Sequence, residues 1–259
     1  MVGLGTLINL ATILGGAAVG LVVGTRIPER ARVTMLHGVG LAVLALGVRQ
    51  ASGTANLVIP LVSVVVGGLL GELAGVEERL AVVGERIRAR VDRPVDITVE
   101  GVVERELPED APATNTALRA EPADTHHRFV EGFVVASLLY VVGPLAILGS
   151  IADGRAGDID LLVVKAALDG LVSIIFAATM GWGVAFSIIP VAIYQGVITL
   201  LAGQADVVLS DRMILELTAT GGLLVMGIGI RLLDVKAVRV ASFLPALAIA
   251  PLLVGIFAR

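Results

Sequence analysis

Residues 159–180, IDLLVVKAALDGLVSIIFAATM, decide how this chain is built. The stretch is long enough to cross a bilayer, which takes about 20 apolar residues at helical rise. It is rich in Val, Leu, Ile and Ala, yet it carries Lys165 and Asp169 in its interior. Four residues apart, the two lie on one helix face and can pair. A charge near the bilayer centre costs at least about 2.5–3.5 kcal/mol, so such residues usually face a protein interior or an aqueous cavity. A structural ion pair, or a Lys165 that snorkels toward the helix start, is the alternative reading.

Seven further apolar segments flank it, at about 3–24, 33–49, 56–75, 129–151, 182–203, 213–231 and 238–257. The whole 259-residue chain agrees: 56% hydrophobic, 16% charged, mean hydropathy +0.94. Soluble domains carry about 25% charged residues, so this composition cannot cover a soluble surface. The expectation is an all-α polytopic membrane protein of about eight spans. The first span lacks a basic leader and a small-residue cleavage site, so it reads as retained. The absence of Cys excludes disulfides and thiolate metal sites, and a net charge of −4 argues against a nucleic-acid partner.

Residues 76–128 break the apolar pattern, holding eight arginines and twelve acids. Val76 to Val91 places Leu80, Val83, Ile87 and Val91 on one face, the pattern of an amphipathic helix lying on a membrane surface. From Pro94 to Thr125 the chain is Pro-, Ala- and acid-rich without aromatics, which predicts a disordered tether. The organisation is therefore a first membrane repeat at 1–75, the helix and tether at 76–128, a connecting pair of spans at 129–180 and a second repeat at 181–259.

Alternate loops divide the basic residues unevenly. Arg26, Arg30, Arg32, the eight arginines of 76–128, Arg231, Lys236 and Arg239 fall on one side; Arg49, Arg155, Arg212 and Arg259 fall on the other. The positive-inside rule then puts both termini outside and 76–128 in the cytoplasm. An internal repeat accompanies this. GLAVLALGVR (40–49) matches GLLVMGIGIR (222–231), with Glu29-Arg30 and Asp211-Arg212 at equal offsets upstream. Spans 1–3 and 6–8 are separated so that the two repeats run in opposite directions, a recurrent build for transporters with a site between the halves.

Gly143-Pro144 interrupts span 4 and Pro190 interrupts span 6, with Tyr194, Gln195 and Gly196 one turn later. Proline removes a helix hydrogen bond and frees carbonyls that can coordinate ions; a packing kink is the plainer reading. Lys165, Asp169, Gln195 and Glu216 are the primary candidates for a solute or ion pathway. Asn9, His37, Glu131, Asp153 and Tyr194 are secondary; Asn9 and His37 read more simply as interhelical hydrogen bonders, and Glu131 as an interfacial residue. The ladders Gly16-Gly20-Gly24 and Gly67-Gly71-Gly75 create close helix contacts, within the chain or between copies in a homo-oligomer. No phosphate-binding loop, HExxH or GxSxG motif occurs. His126-His127 has no metal-ligand companion at useful spacing. No enzyme activity, cofactor or metal is expected.

Four stretches carry a likeness: GTLINLATILGG (5–16), FVEGFVVASLLYVVGPLAILGSIADG (129–154), KAALDGLVSIIFAATMGWGVAFS (165–187) and YQGVITLLAG (194–203). They resemble the YqgA/YdfK-like family of bacterial integral membrane proteins, a domain of unknown function. The resemblance implies a bacterial plasma-membrane location and supplies no substrate. It draws attention to Asp153-Gly154, Lys165, Asp169-Gly170 and Gln195-Gly196. The function expected is a secondary transporter or channel-like permease for a small solute or ion in the lipid bilayer. The alternative is a membrane scaffold or sensor acting through 76–128.

Overall fold

A computed structural model of the chain describes residues 2–91, 121–202 and 209–257. Among them every regular element is helical: α1 (Leu4–Gly24), α2 (Glu29–Ala51), α3 (Val58–Leu73), α4 (Val76–Val91), α5 (Glu121–Val141), α6 (Pro144–Ala156), α7 (Asp160–Met180), α8 (Ile188–Leu200), α9 (Asp211–Leu232) and α10 (Ala246–Phe257). Short 3₁₀ turns at Trp182–Ser187 and Val240–Phe243 lead into α8 and α10. Six helical stretches are long and apolar enough to cross a membrane, or up to eight if each of two bent pairs is one span.

One bent pair is the span expected at 129–151. It breaks into α5 and α6, which meet at 61°. Gly143 is extended, and Pro144 opens α6, where its missing N–H would have had no helical partner anyway. The other pair is α3 and α4, bent by 57°. Helix α4 matches the expected amphipathic segment, but Leu80 and Ile87 pack on the protein core, while Val83 is exposed. The tether lies mostly outside the described residues; its last part, from Glu121, is helical and belongs to α5. Pro190 does not interrupt a helix. It stands in the first turn of α8, where no intrahelical donor is lost.

The glycine ladders are used within the chain. A Cβ on Gly16 or Gly20 of α1 would overlap the carbonyls of Gly170 or Ile174 on α7, so these parallel helices touch backbone to backbone. Gly67 and Gly71 likewise seat α3 on Ala246 and Ser242, antiparallel. Gly75 takes no part; its φ of 61° ends the ladder in the turn after α3.

The two similar decapeptides lie against each other. A Cβ on Gly47 would come 2.8 Å from the Gly222 carbonyl, and one on Gly229 would come 3.0 Å from that of Gly40. Helices α2 and α9 therefore cross antiparallel through paired glycines. Large apolar residues cover the outside, among them Leu7, Val22, Leu61, Leu69, Leu171 and Ile193. Such an apolar exterior on so hydrophobic a chain is a lipid-facing surface.

Both ends of this bundle can be named. The proximal end gathers the starts of α1, α3, α7 and α9 with the ends of α2, α6 and α8; the distal end gathers the ends of α1, α3, α7 and α9 with the starts of α2 and α5. At the distal end Arg231 pairs with Glu77 at 3.0 Å and with Glu131 at 3.7 Å, Arg239 pairs with Glu72 and Glu78, and Arg128 donates to the Thr179 carbonyl at 2.7 Å.

Candidate functional site

Helix α7 presents two faces. One packs on α1; the other looks into a cleft of about 680 Å³ bounded by α2, the α5–α6 break and part of α9. Val43, Leu46 and Val172 line it with aliphatic surface, and its charged residues are Lys165 and Asp169 of α7 and Arg49 of α2. Lys165 and Asp169 are 5% and 9% exposed, and the Lys165 ammonium donates directly to Asp169. A buried pair of this kind is stable only while both partners stay, because either one alone is an uncompensated buried charge.

Three neighbours complete the setting. The Lys165 Nζ stands 5.9 Å from the centroid of the Tyr140 ring, and the Tyr140 hydroxyl bonds the Ser173 hydroxyl at 2.7 Å. From α1, Asn9 reaches the Asp169 carboxylate and also donates to Gln195 on α8 at 3.4 Å. Thus Lys165, Asp169, Asn9 and Gln195, far apart in sequence, form one buried polar cluster.

The break sits beside it. The Gly143 N–H turns to the Val141 carbonyl at 3.1 Å, and Pro144 has no N–H. The carbonyls of Leu139 and Tyr140 therefore lose the donors that a continuous helix would give them. Leu139, Tyr140, Gly143 and Pro144 all line the cleft. Tyr194 packs behind the break, with Thr218 and Leu247, and lines no part of the cleft.

The remaining candidates lie elsewhere. Glu216 is fully buried but serves the start of α3: its carboxylate accepts from the Thr54 hydroxyl at 2.5 Å and from the backbone N–H groups of Ala55 at 2.9 Å and Asn56 at 3.0 Å. Asp153 serves the start of α1, accepting from the N–H groups of Gly3 and Gly5, both at 3.1 Å. Glu77 serves the turn before α10, accepting from the Ala241 N–H at 2.7 Å. Each acid places negative charge at the positive end of a helix or turn. Glu131 is a distal-end ion-pair residue, and His37 is exposed on α2. Among the described residues, no three His, Cys, Asp or Glu side chains gather as a metal site would require.

Sequence reading missed Tyr140 and Ser173. The available clue was position: the chain has two tyrosines, and this one stands four residues before Pro144, where a broken helix exposes its carbonyl.

The fold and cluster define a class, a polytopic helical membrane protein with a broken span beside an intramembrane ion pair. The family model described as "Protein of unknown function (DUF554)" matches residues 4–255, and the chain belongs to that family. It is similar to "Uncharacterized protein YqgA" of Escherichia coli (strain K12), 28% identical over 95% of this chain and 94% of the relative. It is also similar to "Uncharacterized membrane protein YdfK" of Bacillus subtilis (strain 168), 26% identical over 96% and 95%. No solved structure matches.

Proposed function

We propose that this chain is a permease for a small polar solute or ion, working in the plasma membrane with the cleft at Lys165 and Asp169 as its binding site. The observation that carries the reading is the ion pair at the side of an apolar cleft, next to the freed carbonyls of Leu139 and Tyr140. Transporters place their sites where a broken helix meets facing helices near the midplane. The reciprocal glycine contacts, Gly40 with Gly229 and Gly47 with Gly222, support the inverted-repeat reading, because each decapeptide touches its partner through equivalent positions. The arginines at the distal end favour a cytoplasmic distal end, with both termini outside.

The charges of the pair cancel and Arg49 adds a positive one to the cleft lining, so a solute bearing both signs, or a carboxylate, opens the pair at the least electrostatic cost. The cleft's aliphatic lining suits an apolar substituent. The reading assigns the site binding and release, with no bond-making chemistry.

Proteoliposomes containing the full chain test this by osmotic light scattering with glycine, leucine, glycerol, glucose, sodium chloride and potassium chloride as separate permeants. The expected result is entry of one class above empty liposomes, the zwitterions first, and its loss in Asp169→Asn. Entry of none of them, or of one that Asp169→Asn leaves unchanged, rejects the cleft as a pathway. The scaffold reading loses ground because α4 rests Leu80 and Ile87 on the core, leaving Val82 and Val83 as its large exposed apolar residues.

A further inference from the structure

Helical hydroxyls in this protein mostly turn back on their own backbone. Thr34, Ser63, Ser137, Thr218 and Thr220 each donate to the carbonyl four residues earlier. Thr6, Ser150 and Thr199 do not. All three are buried, and their hydroxyls have no protein partner. The Asn9 side-chain oxygen and the Gln195 side-chain nitrogen, on residues with 0% exposure, are also without one.

These five atoms lie on three helices that pack on one another. The Asn9–Gln195 bond joins α1 to α8; Gly154 seats α6 on the Thr199 carbonyl; Asp153 joins α6 to the start of α1. Thr6 and Asn9 are one turn apart on α1, as are Gln195 and Thr199 on α8 and Ser150 and Asp153 on α6. The result is a polar seam that begins at Asp153 at the proximal end and reaches Asp169 through Asn9. It meets Asp169 from the α1 side of α7, away from the solute cleft.

A buried polar group left unpaired costs about 1–3 kcal/mol, so five together would rival the whole stability of a typical domain. Something must satisfy them, and their chemistry says what. Hydroxyls both donate and accept, the Asn9 oxygen accepts, and the Gln195 nitrogen donates. A bare cation would satisfy only the acceptors. Water satisfies both kinds, and a buried water takes about three such partners.

We propose that the seam between α1, α6 and α8 holds a file of ordered water that carries protons between the proximal end and Asp169. A proton arriving along it bonds to the Asp169 carboxylate, turns it into a neutral acid and frees the Lys165 ammonium. The reverse step returns the proton to the same file. Facing Asp169 are Lys165 on its own helix, Tyr140 from α5 and Asn9 from α1; Asp153 stands at the seam's far end. The coupling role rests on the permease reading, whereas the water file stands without it.

Hydroxyl-radical footprinting by X-ray pulses on the full chain in nanodiscs tests the water. Radicals born from bound water oxidise the side chains beside it. Leu162 has 0% exposure and packs on Gly5 and Gly149 at the seam; Phe176 also has 0% exposure but sits in the dry core. The expected result is oxidation of Leu162 but not Phe176, abolished in a Thr6→Val/Thr199→Val variant that melts like the parent. Equal protection of Leu162 and Phe176 overturns the proposal. In proteoliposomes with an internal pH dye, the same variant should lose proton movement driven by the permeant. Labelled Leu162 with unchanged proton movement overturns the proton route. Absence of any flux in the parent chain rejects the permease reading while leaving the footprint result to decide the water file.

Discussion

Two antiparallel crossings in the membrane part solve the same packing problem in opposite ways. Where α2 meets α9, paired glycines bring backbones into contact, and the one polar side chain against them, Gln50, stands at the end of α2 beside Gly222. Where α1 meets α8, Asn9 faces Gln195 and threonines flank them, several with atoms that no protein group satisfies. Close packing through small residues is how membrane helices associate without a hydrophobic drive. A crossing that keeps unsatisfied polar atoms in an apolar solvent is poorly explained by packing alone. On the proposed reading, the first crossing serves structure and the second serves transport.

Breaking the contrast starts with the ion pair beside the polar crossing. Lys165→Met strands Asp169 in the interior and should cost about 3–5 kcal/mol, read as a lower melting temperature in detergent. Adding Asp169→Leu should recover most of that loss without recovering transport. If the single variant melts like the parent, the pair is not buried as described. At the glycine crossing, Gly47→Leu forces a side chain onto the Met226 backbone and the Gly222 carbonyl and should cost about 1–3 kcal/mol. Cysteines introduced across α2 and α9 should then cross-link less.

Glu216→Ala tests a residue apart from both crossings. It removes the acceptor for Thr54, Ala55 and Asn56 and should cost about 1–2 kcal/mol, as lost helix caps do. Any transport that remains should be unaltered per folded molecule. The smallest shift in stability is expected at the polar crossing itself. Thr199→Val exchanges an unpartnered hydroxyl for a methyl of similar shape, so stability should move by no more than about 0.5 kcal/mol. A large loss would mean that a protein group, and not exchangeable water, satisfies the hydroxyl.

Much of this was legible in the chain. Apolar runs located the helices, Gly143-Pro144 marked the break, and the i,i+4 spacing of Lys165 and Asp169 put them on one face. The similar decapeptides could be read, but not that they lie on each other, since contact between distant helices leaves no local pattern. Glu216 and Asp153 illustrate the limit most clearly. A buried acid in an apolar run reads the same whether it lines a pathway or caps a helix, and the N–H groups that distinguish these uses are 148–161 residues away. Pro190 misled for a local reason: whether proline breaks a helix or begins one depends on where the preceding 3₁₀ turn ends.

Those caps also bear on how the protein is made. The start of α1 leaves the ribosome long before Asp153 does, and the start of α3 long before Glu216. At about 5–20 residues per second, a lag of roughly 150 residues lasts roughly 8–30 s. Through that interval the acids that close these backbone donors in the finished fold are still unmade. Assembly therefore cannot be settled helix by helix as synthesis proceeds. A nascent chain stopped before α9 would expose the uncapped start of α3, and that exposed end would distinguish unfinished molecules from finished ones.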